Sequence, residues 1–176
     1  MSPHSRRDAD ARPLAAADTS ASFTVDEVHD ARDIQEVRRL VLEHAAVRAA
    51  TPGIEYMRAD AAALPGPYVP PLGGLWLARA EEVGVGCVAL RPLDEAVAEV
   101  KRMYVAAAWR GRGVGRALLE ALLGGARARG YQTLRLGTLH DMAAAQSLYQ
   151  SLGFTPIARY RPDELIDTRF FELSLH

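Results

Sequence analysis

The sequence predicts one α/β domain whose sheet is largely antiparallel, with six to seven strands and about four helices. Three observations lead there. At 176 residues the chain can bury one sizeable core but not two. Three short runs rich in Val, Leu and Ala, at 75–81, 83–93 and 96–105, succeed one another across turn-like breaks, as sequential antiparallel strands do. A glycine- and arginine-rich turn then leads straight into an apolar-striped helical segment, and strand and helix alternate from there on.

Residues 1–21, rich in Ala, Asp, Arg and Ser, hold no apolar run long enough for a secretory leader and read as a flexible tail ahead of a domain at 22–176. "SFTVDEV" at 22–28 has strand character. Asp30 is placed to cap a helix running to Ala50, with Ile34, Val37, Leu40 or Val41, and His44 at helical spacing. The stretch 51–74 holds five prolines and four glycines, so it reads as loop around one short helix at 55–63. Loops of that length in compact domains are functional or disordered. After the three strands, a helix closes at Gly130. A strand at 132–139, a helix at 141–153 capped by Asp141, and strands at 155–160 and 168–175 complete the chain.

Composition narrows the function. Apolar residues make up 49% and charged residues 24%, an ordinary globular mix, and the net charge of -1 is not that of a nucleic-acid coat. Any basic site must be local. No run of about twenty apolar residues could span a bilayer, and the lone Cys87 cannot form an internal disulfide. The expectation is a soluble, cytoplasmic protein with no nucleic-acid or membrane partner. Cys87 has no base nearby in sequence and reads as a small buried hydrophobe. His4, His29, His44, His140 and His176 show no ligand spacing, so no metal is inferred.

The turn "RGRGVGR", Arg110 to Arg116, carries the chemistry. Free N–H groups in a first helical turn and the positive end of the macrodipole favour a phosphate, and glycine lets phosphate oxygens reach the backbone. Arg110, Arg112 and Arg116 can add charge-assisted hydrogen bonds. Glycines serving only a tight strand-to-helix turn are the competing reading. A Walker loop would need Gly-Lys-Ser/Thr, but Gly115 is followed by Arg116 and Ala117. A Rossmann fingerprint would need glycine where Arg116 stands, and an acidic residue where the chain reads "YQTLRLG".

The remaining pattern, Arg110-x-x-Gly113-x-Gly115, resembles the acetyl-CoA pyrophosphate loop of the GCN5-related N-acetyltransferase (GNAT) family. "AEVKRMYV" before it and "AAAQSLYQSLGF" after it are similar to the family's central strand and its fourth helix, so the resemblance covers roughly 96–155. "LPGPYVPPLGGLWLA" and "GCVALRPL" look like a bacterial branch. The resemblance implies the GNAT acyl-CoA N-acyltransferase fold, a mixed sheet opened between the central strand and its parallel successor. It also implies acetyl-CoA as co-substrate, and direct transfer to a primary amine of a small molecule or peptide. A homodimer is compatible with it. Two departures stand out: Met142 replaces a common asparagine, and "GTLH" at 137–140 replaces the branch's Asp-Thr-Leu-Pro.

The resemblance also implies roles for individual residues. Gly111, Gly113, Val114 and Gly115, with the three arginines, would hold the pyrophosphate. Backbone N–H groups of Met103, Tyr104 and Val105 would hold the pantetheine arm and polarise the thioester carbonyl. Tyr149 occupies the general-acid position, with a core tyrosine as the alternative. Glu99 occupies the catalytic glutamate position of the histone-modifying branch; an ion-paired strand glutamate, with water chains as base, is the alternative. Glu55, Tyr56, Arg58, Tyr68 and His140 are candidates for the acceptor wall. Other classes remain open: a non-catalytic acyl-CoA sensor, or an interaction module on the same fold.

Overall fold

The structure, a computed structural model, describes residues 22–51, 53–162 and 167–176; the expected tail at 1–21 lies outside them. It contains seven strands and four α-helices: β1 Thr24–Glu27, α1 Ala31–Val47, α2 Glu55–Ala63, β2 Gly74–Ala80, β3 Val83–Pro92, β4 Val97–Val105, α3 Val114–Ala128, β5 Thr133–Leu139, α4 Ala143–Ser151, β6 Thr155–Ile157 and β7 Thr168–Ser174. The strands form one sheet in the order β1-β2-β3-β4-β5-β7-β6. Every pairing is antiparallel except β4 with β5.

Alternation along β2 and β3 divides the core into two layers. Leu75, Leu77, Cys87 and Ala89 pack with Val37, Leu40 and Val41 of α1 and with Met57 and Ala61 of α2. Trp76, Ala78, Val88 and Leu90 pack with Leu118, Leu119 and Leu122 of α3. Those three leucines are fully buried, each worth roughly 1.5–3 kcal/mol of transfer free energy. α3 lies close against the sheet: a Cβ on Gly125 would fall 2.3 Å from the Trp76 ring, so only glycine lets the indole sit there.

α1 starts where expected, with Asp30 Oδ1 accepting from the Asp33 N–H at 2.8 Å, but ends at Val47 rather than Ala50. Asp141 does not cap α4, which begins after Met142 without a side-chain cap. Its carboxylate instead accepts two hydrogen bonds from the Arg48 guanidinium, at 2.9 and 3.0 Å, tying the β5–α4 turn to the end of α1. The strand expected at 155–160 is ordered as strand only through Ile157.

Two irregularities in β4 shape the centre of the sheet. β4 is in register with β5 only at Val97, Ala98 and Glu99, opposite Thr133, Leu134 and Arg135. Beyond Glu99 the strands diverge, and the β4 edge facing β5 has no strand partner among the described residues. Between Lys101 and Tyr104 the pairing with β3 skips, two residues of β4 standing against one of β3, and Arg102 adopts φ +55°. This bulge reverses which face each side chain meets. Ala98 and Val100 belong to the α3 layer, whereas Tyr104 belongs to the α1–α2 layer.

Glu99 sits at the last paired position and is fully buried. It accepts from Arg91 Nε at 2.7 Å, Arg161 Nη1 at 2.8 Å and the Tyr160 hydroxyl at 2.7 Å. β3, β4 and the segment after β6 are thereby clamped at the vertex of the opening. Glu99→Gln keeps the shape but removes the charge between two guanidiniums. Because both arginines are partly solvated, we expect a loss of about 2 kcal/mol, below the full effect of breaking a buried pair. It would be read as a lower urea midpoint at unchanged slope; an unchanged midpoint would show that the cluster does not stabilise the vertex.

Candidate active site

The divergence of β4 and β5 opens a cleft of about 750 Å³. One wall is the unpaired edge of β4 at Met103, Tyr104 and Val105; the floor is the loop and first turn of α3 at Arg110, Gly111, Gly113, Gly115 and Arg116; α4 forms the opposite wall from Met142 to Leu148. Gly111 and Gly113 have φ of +72° and +82°. A Cβ on either would meet nothing within 4 Å, so backbone conformation rather than space calls for glycine here. The Ala117 N–H bonds to the Gly113 carbonyl at 3.0 Å and begins the helical ladder. The N–H groups of Val114, Gly115 and Arg116 therefore precede any intrahelical acceptor.

The arginines are placed differently from one another. Arg110 donates through Nε to the Val105 carbonyl at 3.0 Å and lies over the Tyr104 ring. Arg112 lies over Trp109. Neither forms an ion pair among the described residues. Arg116 bonds Ser151 at 2.7 Å and pairs with Glu120 at 3.5 Å. Arg110 and Arg116 line the floor and have between them one carboxylate partner among the described residues, Glu120, which leaves the floor at the helix N-terminus electropositive.

A smaller cavity adjoins the cleft, with His44, Arg48, Met103 and Met142 lining both. Tyr149 lies at its base, its ring buried against Phe154 and Phe171. Burial pushes the Tyr149 pKa upward, so the phenol keeps its proton at any ordinary pH. Arg102, turned toward α2 by the bulge, is ion-paired with Asp60 and lies 4.9 Å from the Tyr56 ring centroid. His44 stacks on Tyr104 with ring centroids 4.9 Å apart, and its buried Nδ1 has no hydrogen-bond partner among the described residues. Burial, reinforced by Arg48, Arg102 and Arg110, lowers the His44 pKa to about 4.

The residues singled out from sequence are distributed unevenly. Met103, Tyr104, Val105, Arg110, Gly111, Gly113, Gly115 and Arg116 line the large cleft. Arg112 stands outside that lining, and the Val114 side chain is buried in the α3 layer, leaving only its backbone to face the loop. Of the acceptor candidates, Tyr56 lines the small cavity. Glu55, Arg58 and His140 are exposed and line neither space. Tyr68 is 2% exposed and donates to Asp60 at 2.9 Å, a core position supporting Arg102 from behind. Glu99 lines neither space. Sequence reasoning missed His44, Arg48 and Arg102 as cavity residues; the one available signal was a histidine on the apolar stripe of α1.

Comparison with known proteins bears on this geometry. The family profile of the acetyltransferase (GNAT) domain matches residues 71–156. Human N-acetyltransferase 8B is 35% identical over 104 residues, covering 56% of this chain and 46% of its own length. An uncharacterized N-acetyltransferase of Schizosaccharomyces pombe is 31% identical over 110 residues, covering 61% of this chain and 68% of its own. The chain thus spans less than half of the human relative. Among solved structures, a putative acyl-CoA N-acyltransferase from Klebsiella pneumoniae is 30% identical with a TM-score of 0.63, covering 89% of this chain and 99% of that one. A putative acetyltransferase from Salmonella typhimurium, solved with its cofactor acetyl-CoA, is 25% identical with a TM-score of 0.63, covering 88% and 94%.

Two measurements probe the site directly. Gly113→Asp forces a side chain onto left-handed backbone and puts a carboxylate at the helix N-terminus, so coenzyme A binding should be lost. Arg110→Ala should weaken it by roughly 1.5–3 kcal/mol, the range for hydrogen bonds to charged groups. Unchanged calorimetric affinity in both variants would contradict the loop's role. His44 yields a second expectation. Unfolded imidazole takes a proton near ~6.5, but the folded group resists until about pH 4. Stability complete above pH 6.5 is therefore lost progressively as pH falls toward 4. An NMR titration should find no His44 midpoint above pH 5; a midpoint near 6.5 would contradict the burial.

Proposed function

This chain belongs to the GNAT acetyltransferase family, and from that premise we propose that it moves the acetyl group of acetyl-CoA directly onto a primary amine. The observation that carries the reading is the contact between the two spaces: an electropositive cleft sized for the donor meets a small cavity along His44, Arg48, Met103 and Met142. Acetyl-CoA supplies the acetyl group as a thioester. The N–H groups at the start of α3, with Arg110, Arg112 and Arg116, bind its pyrophosphate. The unpaired β4 edge at Met103–Val105 pairs with the pantetheine arm as a further strand would, and aims N–H groups at the carbonyl. Tyr149, at the base of the small cavity, keeps its proton until it gives it to the departing sulfur.

Glu99 is assigned to the vertex of the sheet rather than to proton abstraction. Its carboxylate is enclosed by Arg91, Arg161 and Tyr160, three donors that would have to be displaced before it could take a proton. A cytoplasmic setting is supported by the single, buried Cys87, and a bacterial origin by the branch-like "LPGPYVPPLGGLWLA". No described helix is long and apolar enough to cross a membrane.

A thiol-release assay across an amine panel, with acetylated product identified by mass, tests the activity. Coenzyme A binding with no product from any amine would instead support the non-catalytic sensor. Tyr149→Phe separates the acid from the fold. Turnover should fall roughly 10- to 100-fold, at the low end of general acid catalysis because a thiol is a fair leaving group. Acetyl-CoA affinity should not change. Full turnover in Tyr149→Phe would remove the tyrosine from the chemistry.

A further inference from the structure

The geometry points to an acceptor that carries a carboxylate beside its amine, an amino acid or a similar amino-carboxylate, held in the small cavity by Arg48 and Arg102. This rests on the acetyl-transfer reading and adds the substrate class to it. Charge is the first observation behind it. Arg48 and Arg102 line the cavity, and among the described residues no Asp or Glu does. The carboxylates that pair with the two arginines stand elsewhere: Asp141 lines the donor cleft, and Asp60 lines neither space. Both partners thus fix the arginines in place from outside the cavity, while the cavity itself meets cationic groups.

His44 stands in the same wall, its ring stacked on Tyr104. It is a titratable base in the wall of this cavity, and Arg48, Arg102 and Arg110 add to burial in keeping it neutral. The same surroundings act on an incoming amine. A polyamine or a lysine-rich peptide meets two guanidiniums and, among the described residues, no lining carboxylate, whereas an amino-carboxylate offers the guanidiniums an anion. Guanidinium groups suit that carboxylate, through their planar donors. Once the carboxylate is bound, the cations favour the neutral form of the neighbouring amine, which is the form that attacks the carbonyl. The proton leaves with water rather than to a dedicated carboxylate, none of which lines the cavity among the described residues.

The test compares L-alanine, L-aspartate and β-alanine with L-alaninamide, butylamine and spermidine, in two readouts. Turnover with acetyl-CoA is one; calorimetric binding to the chain saturated with coenzyme A is the other. Carboxylate-bearing amines should exceed the amide and the alkylamines about tenfold or more in kcat/KM, the size of one charge-assisted contact. Arg48→Gln should erase that ratio, mainly through KM, with its acetyl-CoA affinity measured separately because Arg48 also borders the donor cleft. Equal or better turnover of the amide, butylamine or spermidine would overturn the substrate class and leave acetyl transfer standing. Carboxylates that bind the saturated chain while no amine is acetylated would uphold the class and remove the acetyl-transfer reading. Neither binding nor turnover of any carboxylate would overturn the inference.

Discussion

Only three register pairs join β4 to β5, from Val97 to Glu99, and the rest of the molecule is organised around their ending there. A parallel pair in a sheet has backbone hydrogen bonds to satisfy along its whole length, and an abrupt divergence strands the donors and acceptors of the inner edges. The fold tolerates this because the divergence faces an open cleft rather than the packed core. The vertex must also be held. The buried Glu99 cluster does so, joining β3, β4 and the Tyr160–Arg161 segment through three short hydrogen bonds. A lone buried carboxylate would be prohibitive; two guanidiniums and a phenol make it a fixed point.

The bulge in β4 is the second constraint, and it couples the cleft to the cavity. With strict alternation, Val100, Arg102 and Tyr104 would share a face and Arg102 would point into the α3 layer. The extra residue instead sends Arg102 toward α2, where Asp60, backed by Tyr68, receives it. It also turns Tyr104 beneath His44, its hydroxyl donating to Glu43 at 2.9 Å. One backbone irregularity thus places Tyr104 in the lining of the donor cleft and Arg102 in that of the small cavity, with Met103 between them lining both. The positive φ of Arg102 is sustained by these contacts on both flanks.

Much of this was legible in the sequence, and the reason is local. Strand and helix order reflect hydrophobic period, the start of α1 reflects Asp30, and the loop before α3 reflects glycines whose backbone conformation other residues resist. The bulge left a trace as well: apolar positions at Ala98 and Val100 resume at Met103 and Val105, a step of three where a regular strand takes two. What stayed hidden depends on partners far along the chain. Asp141 looked like a cap because the four residues after it look like a helix start; Arg48, 93 residues away, takes it instead. Tyr68 looked like a candidate for the acceptor wall on the loop at 51–74, whereas Asp60 and the α1–α2 layer enclose it. Glu99 carried no sign of Tyr160 and Arg161.

Divergence of β4 from β5 creates one continuous donor site, from the β4 edge to the first turn of α3, and on this continuity the functional reading stands. Residue-resolved amide hydrogen exchange with and without coenzyme A tests it most directly. A continuous site predicts slowed exchange on binding at two separated places at once, the N–H groups of Gly113 to Arg116 and those of Met103 to Val105, with little change in the β1–β2 half of the sheet. Protection confined to one of the two places, or centred away from both, would contradict it.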